Sequence, residues 1–149
     1  MSEISKIDQQ ILYLIKLFEN RNFDEVISQS SNLFKENKKL SILPNLIGAS
    51  YSKKNQNKEA IKFYKEARKI DSTYWPTYTN EAIIHGILSE FDKGERLLAK
   101  LKKECNTPYW IQFADLLLGI FYFNQKQDCD KIYLQLEKAK GIILLDDVK

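Results

Sequence analysis

The sequence predicts an all-α fold built from repeated helix pairs. Three observations carry that expectation. Apolar residues recur at spacings of three and four along nearly the whole chain, the stripe of an amphipathic helix. Glycine and proline are scarce, five and three in 149 residues, so long elements are expected in place of many turns. Small or apolar residues also recur on a 34-residue lattice: Ala60 with Val26 and Gly94, Gly48 with Leu14 and Ala82, Ala67 with Leu33 and Leu101. A period of that length marks a repeat architecture, in which each copy buries its apolar face on its neighbour.

Four copies fit within one domain spanning 1–149, at about 7–40, 41–74, 75–108 and 109–143. Each holds two helices, expected near 7–20, 23–37, 41–54, 57–70, 75–88, 91–104, 108–124 and 128–143. The breaks inside the copies read "ENRNFD", "KKNQNK", "LSEFD" and "NQKQDCD". They offer Asn22, Asn57, Ser89 and Asp128 as N-caps, whose side-chain oxygens can accept from free amides of the second helix. Between copies stand Ser41, then Ser72 or Thr73, then Thr107 followed by Pro108, a good start signal. Pro44, Pro76 and Pro108 fall 32 apart, each in the first turn of a first helix, where proline costs little. The fourth copy follows after a slip of about four residues, with Ile132, Leu136 and Ala139 in the places of Ala60, Tyr64 and Ala67, and Phe123 in that of Tyr51. The slip falls around "KKECNTPYW", so the third connection between copies, or the helix after it, is expected to be longer.

The second copy, Ser41 to Tyr74, resembles the tetratricopeptide repeat in Ile47-Gly48, Tyr51, Ala60, Tyr64 and Ala67. Pro44 stands where that family has an aromatic opener, and Ser72 where it has a closing proline. "NFDEVI" from Asn22 and "EFDKGERLL" from Glu90 are partial matches, and the last copy is degenerate. The resemblance implies a right-handed α-solenoid whose first helices line a concave groove that holds other proteins. It also implies that Gly48 and Ala60 face each other across a tight helix pair. The implied groove positions are Ile11, Leu12, Ile15 and Phe18; Asn45, Leu46 and Ala49; Thr79, Asn80 and Ile83; and Leu117, Leu118 and Phe121. These are mostly apolar. Ile11 and Ile15 stand where carboxylate-gripping members of the family carry Lys and Asn, so capture of an acidic C-terminal tail is not expected. An apolar groove suits an amphipathic helix or an apolar extended segment of a protein or peptide partner. A second copy of the chain, giving a homodimer, is the other occupant it would accept.

Other function classes find little support. Net charge is +3 and only Arg21, Arg68 and Arg96 are arginines, so nucleic acid is not an expected partner. The clusters "KENKK", "KKNQNK" and "KLKK" sit at helix ends, where cations favour the helix dipole. No leader pattern opens the chain, and the longest apolar run, "LLLGIFYF", is far short of the roughly 20 residues that span a bilayer. A cytoplasmic protein with free thiols is expected. Cys129 takes the place of Phe23 and Phe91 and is expected in the core, whereas Cys105 is expected exposed near a helix end. No catalytic motif is present, and neither cofactor nor metal is expected. Glu81 and His85, four apart on one helix, read as a partly buried pair and not as a general acid and base. The expected function is a non-enzymatic adaptor. Two alternatives remain: a secretion-type chaperone, or the amino-terminal module of a larger enzyme such as a glycosyltransferase or sulfotransferase. The tail "GIILLDDVK" bears on the second, since Gly141 ends the pattern and Ile142 to Leu145 have no further copy to cover them.

Overall fold

A computed structural model describes residues 5–139, which form eight helices and no strand. They are α1 (Lys6–Glu19), α2 (Phe23–Glu36), α3 (Ile42–Lys53), α4 (Asn57–Ile70), α5 (Pro76–Ile87), α6 (Phe91–Glu104), α7 (Pro108–Asn124) and α8 (Cys129–Lys138). Each starts where the apolar period predicts, within a residue or so. Beyond Ala139 the expected end of α8, Gly141 and the run Ile142–Leu145 lie outside the described residues. The chain divides between Thr77 and Tyr78 into two compact units, α1 to α4 in the first and nearly all of α5 to α8 in the second.

One turn recurs inside every copy. Arg21, Asn55, Ser89 and Lys126 all have φ between 55° and 64°, at intervals of 34, 34 and 37 residues. The amide after each reaches back five residues: Asn22 donates to the Leu17 carbonyl, Gln56 to Tyr51, Glu90 to His85 and Gln127 to Tyr122. With the companion bonds from Arg21 to Phe18, Asn55 to Ser52, Ser89 to Gly86 and Lys126 to Phe123, this is the Schellman closure of a helix C-terminus. No glycine occupies the left-handed position in any of the four.

That turn corrects two of the expected N-caps, Asn57 and Ser89, and keeps Asn22 and Asp128. In the first three copies the residue after the left-handed one is itself the cap of the next helix, namely Asn22, Gln56 and Glu90, and no side chain among them bonds to a helix amide. Asn57 lies inside α4, and Ser89 holds the left-handed position instead. Ser41 and Thr107 are caps without a side-chain bond. The fourth copy has one residue more, Asp128, in extended conformation, and its carboxylate accepts from the Lys131 amide at 2.9 Å. Ser5 caps α1 in the same way through the Asp8 amide.

The register slip also resolves. α7 has 17 residues against 12 in α3 and α5, while the connection before it is short. The slip is three residues by the end of α7 and four by the start of α8. Tyr122, not Phe123, therefore takes the place of Tyr51.

In the first unit, Leu14, Leu17, Val26, Leu43 and Leu46 form a core against which Ile11, Ile15, Phe18 and Leu33 pack. Beside it, α3 and α4 approach closely. A β-carbon on Gly48 would lie 2.9 Å from the Tyr64 ring and 3.1 Å from the Ala60 carbonyl oxygen. Gly48 is thus the small residue that lets α4 dock, as expected, with the fully buried Ala60 opposite. In the second unit the pair returns reversed: a β-carbon on Gly94 would lie 3.2 Å from the Ala82 carbonyl oxygen. The Phe121 ring sits against both Gly86 and Gly94, each of whose added β-carbons would come within 2.5 Å of it. Phe91 meets the same ring edge-on, centroids 5.6 Å apart. Buried Asp115 on α7 pairs with Lys102 on α6 at 2.5 Å.

Two substitutions test this packing. Ala60→Leu overpacks the α3–α4 contact and is expected to cost about 1–3 kcal/mol in thermal or urea unfolding. An unshifted transition would contradict the close approach. Ser89→Gly relieves a left-handed serine and is expected to gain about 0.5–1 kcal/mol, net of the chain entropy glycine adds. A loss of stability there would contradict the turn geometry.

Candidate protein-binding surface

The expected groove residues divide by environment. In the first unit Leu12 is 55% exposed, and Ile11, Ile15, Phe18, Asn45 and Ala49 are partly exposed. Leu46 is a member of the core, touching the Leu14–Leu43 cluster, so it offers no surface. In the second unit Asn80 and Ile83 are partly exposed, whereas Thr79, Leu117, Leu118 and Phe121 are buried. Phe121, at 3% exposure, is committed to the two glycines of α5 and α6. The physical reason is that first helices are enclosed on more than one side. α3 buries Leu43, Pro44, Leu46, Ile47, Gly48 and Ser50, half its length. What survives as accessible apolar lining is centred on Leu12 and Ile15 in one unit and Ile83 in the other.

A different concavity lies between α1 and α2, about 550 Å³ in volume. Gln9, Gln10, Gln29 and Asn32 line it together with Tyr13, Leu14 and Leu33, and no expected groove residue does. The most exposed large apolar side chains lie elsewhere, at the end of α5 (Ile87) and on α7 and α8 (Phe123, Tyr133). Sequence reasoning missed that second cluster because it placed Phe123 at a packing position. The signal that would have found it is the length of the apolar run of α7.

His85 lies where the lattice placed it, at the position of Leu17 and Tyr51, and is nearly enclosed. Its Nε2 is 3.5 Å from Glu81 Oε1, the expected partner, and its Nδ1 meets Glu90 Oε2 at 2.7 Å. Glu90 also accepts from Lys93 Nζ at 2.8 Å. The cluster ties the end of α5 to the start of α6. Among the described residues no group of three His, Cys, Asp or Glu side chains is placed to hold a metal ion. Cys105 is buried, contrary to expectation, because its sulfur folds over the connection and accepts from the Thr107 amide at 3.4 Å. The Cys129 side chain lies outside the described residues. No helix among the described residues is long and apolar enough to cross a membrane.

No family model and no curated protein matches the chain. Solved structures do. MamA is 13% identical over 99% of this chain and 84% of its own, with a TM-score of 0.76. A second MamA structure is 20% identical over 90% of this chain and 73% of its own, TM-score 0.69. A chain in the structure of Naa15/Naa10 bound to HypK-THB is 16% identical over 96% of this chain and 25% of its own, TM-score 0.55. At these identities the likeness is one of fold. The chain has the all-α fold of helical repeat proteins, and its eight helices fit tetratricopeptide-like repeats.

The His85 cluster gives a pH dependence. Hydrogen bonds from Lys93 and His85 hold the Glu90 carboxyl below its ordinary value. A depressed folded pKa means stabilisation that is complete above the usual carboxylate range and is lost as the pH falls through the depressed value. Glu90→Gln is therefore expected to lower the Tm at neutral pH and to converge with the parent at the acid end of a Tm-against-pH series. A constant offset across the series would contradict it.

Proposed function

We propose that this chain is a non-enzymatic, cytoplasmic adaptor that binds an apolar or amphipathic segment of another protein on the faces of its first helices. One observation carries the reading. Leu12, beside partly exposed Ile11 and Ile15 on α1, is a large apolar side chain left mostly in water on the helix face that the repeat resemblance assigns to partners. The fold likeness supports it in general terms: one neighbour belongs to an assembly of Naa15 and Naa10 bound to HypK-THB. Covering a side chain of this size contributes about 1.5–3 kcal/mol before the costs of association, so two or three of them matter to affinity.

A second reading has its own support. The stretch matched in the Naa15/Naa10 structure is 25% of that chain, so repeats of this kind also occur as part of a longer protein. In that case this chain is the docking module of a larger protein, and a reading frame continuing past Lys149 is the observation that favours it.

Affinity capture with the parent chain, Leu12→Asp and Ile83→Asp separates the alternatives. Leu12→Asp is expected to keep full helicity by circular dichroism and to weaken capture of the principal partner at least tenfold, because the new carboxylate is hydrated in the free chain and desolvated in the complex. Ile83→Asp tests the second unit in the same way. Retention of every partner by both folded variants overturns the first-helix reading.

A further inference from the structure

The extra length of α7 carries an apolar surface. The closing turns of α3, α5 and α7 align on Tyr51, His85 and Tyr122, each two residues before its helix ends. The excess of α7, 17 residues against 12, therefore lies wholly at its N-terminus. Tyr109 stands on that extension and opens a stripe of Tyr109, Phe113, Leu116, Ile120 and Phe123, spaced four, three, four and three along one helix face. Tyr109, Ile120 and Phe123 are 47%, 43% and 68% exposed, and Phe113 and Leu116 are partly exposed. The Tyr109 and Phe113 rings stack, centroids 6.2 Å apart. Asp115 is the one charged residue of α7, and it is buried against Lys102. The exposed side of α7 thus has no charge, as in the core of a protein interface.

We infer that this stripe is covered by the same stripe of a second copy of the chain, in an antiparallel, two-fold pair. Three observations favour a second copy over a foreign helix. The first is charge. A two-fold antiparallel pair sets each edge of a helix against the same edge of its copy, so any exposed charge there meets its like. α7 has none to meet. A foreign amphipathic helix brings flanking charges, and these find no opposite charge on α7. The second is register. Alternating spacings of three and four suit a helix packed at a small crossing angle. Antiparallel pairing about Leu116 sets Tyr109 opposite the partner's Phe123 and Phe113 opposite the partner's Ile120, apolar against apolar along the whole stripe. The third is area. At Phe123 the stripe runs on into a concavity of about 780 Å³ that Tyr133 and Leu136 also line. Side chains of this size and exposure present on the order of 600 Å² per chain, so a pair covers about 1,200 Å², the size at which specific interfaces begin. No stripe residue is among the expected groove positions, so the inference stands or falls independently of the adaptor reading.

Light scattering and sedimentation of the full chain over a dilution series test it. The parent is expected to show a dimer mass that falls to that of the monomer on dilution. A monomer at every concentration overturns the inference. Ile120→Asp and Tyr109→Lys are each expected to keep full helicity by circular dichroism and to raise the dimer Kd on the order of tenfold or more. Leu12→Asp, in the other unit, is expected to leave the dimer Kd unchanged. A dimer that persists in the folded α7 variants overturns the inference, and so does one that Leu12→Asp dissociates. Should Ile120→Asp lose helicity, Tyr109→Lys, on the exposed extension, decides by the same criterion. A monomeric parent that still captures its partner sinks the dimer and leaves the adaptor reading in place.

Discussion

Every helix pair closes through the same two hydrogen bonds, and the rest of the structure is arranged around them. The amide that reaches back five residues fixes where the first helix stops, and the left-handed residue before it sets the angle at which the second departs. Once that angle is set, the two helices run back along one another, and the separation their side chains tolerate becomes the next constraint. Gly48 opposite Ala60, and Ala82 opposite Gly94, meet it by having almost nothing to interpose. The larger apolar residues then fill what space is left. Arg21, Asn55, Ser89 and Lys126 hold the left-handed conformation at some cost each, which persists because the paired helices over-determine it.

The period of 34 was legible where helix lengths repeat between closures: α2, α4 and α6 each have 14 residues, and Val26, Ala60 and Gly94 report that phase, which the longer α7 then breaks. The caps were legible in part: Asn22, Ser41, Thr107 and Asp128 stand where expected, whereas Asn57 and Ser89 do not. Asparagine or serine near a predicted start looks like an N-cap, but a Schellman closure can use the same residue for the end of the previous helix, as Ser89 does. The groove was legible only in part. A period of three and four identifies an apolar stripe, but a first helix here is buried over a wide arc. Sequence alone does not separate a side chain facing a neighbouring helix, such as Leu46, from one facing water, such as Leu12.

Polar groups inside the core follow different rules from place to place. Buried Ser50 returns its hydroxyl to the Leu46 carbonyl at 2.9 Å, and Asp115 is met by Lys102. Ser30 is fully buried at the lattice position of Tyr64 and Leu98, and its hydroxyl finds no partner. The first copy thus carries a polar defect where its successors carry an aromatic and an aliphatic side chain. His85 is the converse case, a polar residue in an apolar lattice position that two carboxylates make acceptable. Two of these pairings, Ser50 to Leu46 and His85 to Glu81, follow from a spacing of four on one helix, and the others do not.

The ring of Phe121 touches two glycines on two different helices. Neither contact can be given up separately, because withdrawing the ring from Gly86 also moves it from Gly94. Local opening of α5, α6 or α7 alone would leave the ring without one of its walls. The three helices are therefore coupled for hydrogen exchange, and their slowest amides belong to one cooperative opening event and not to three independent frayings.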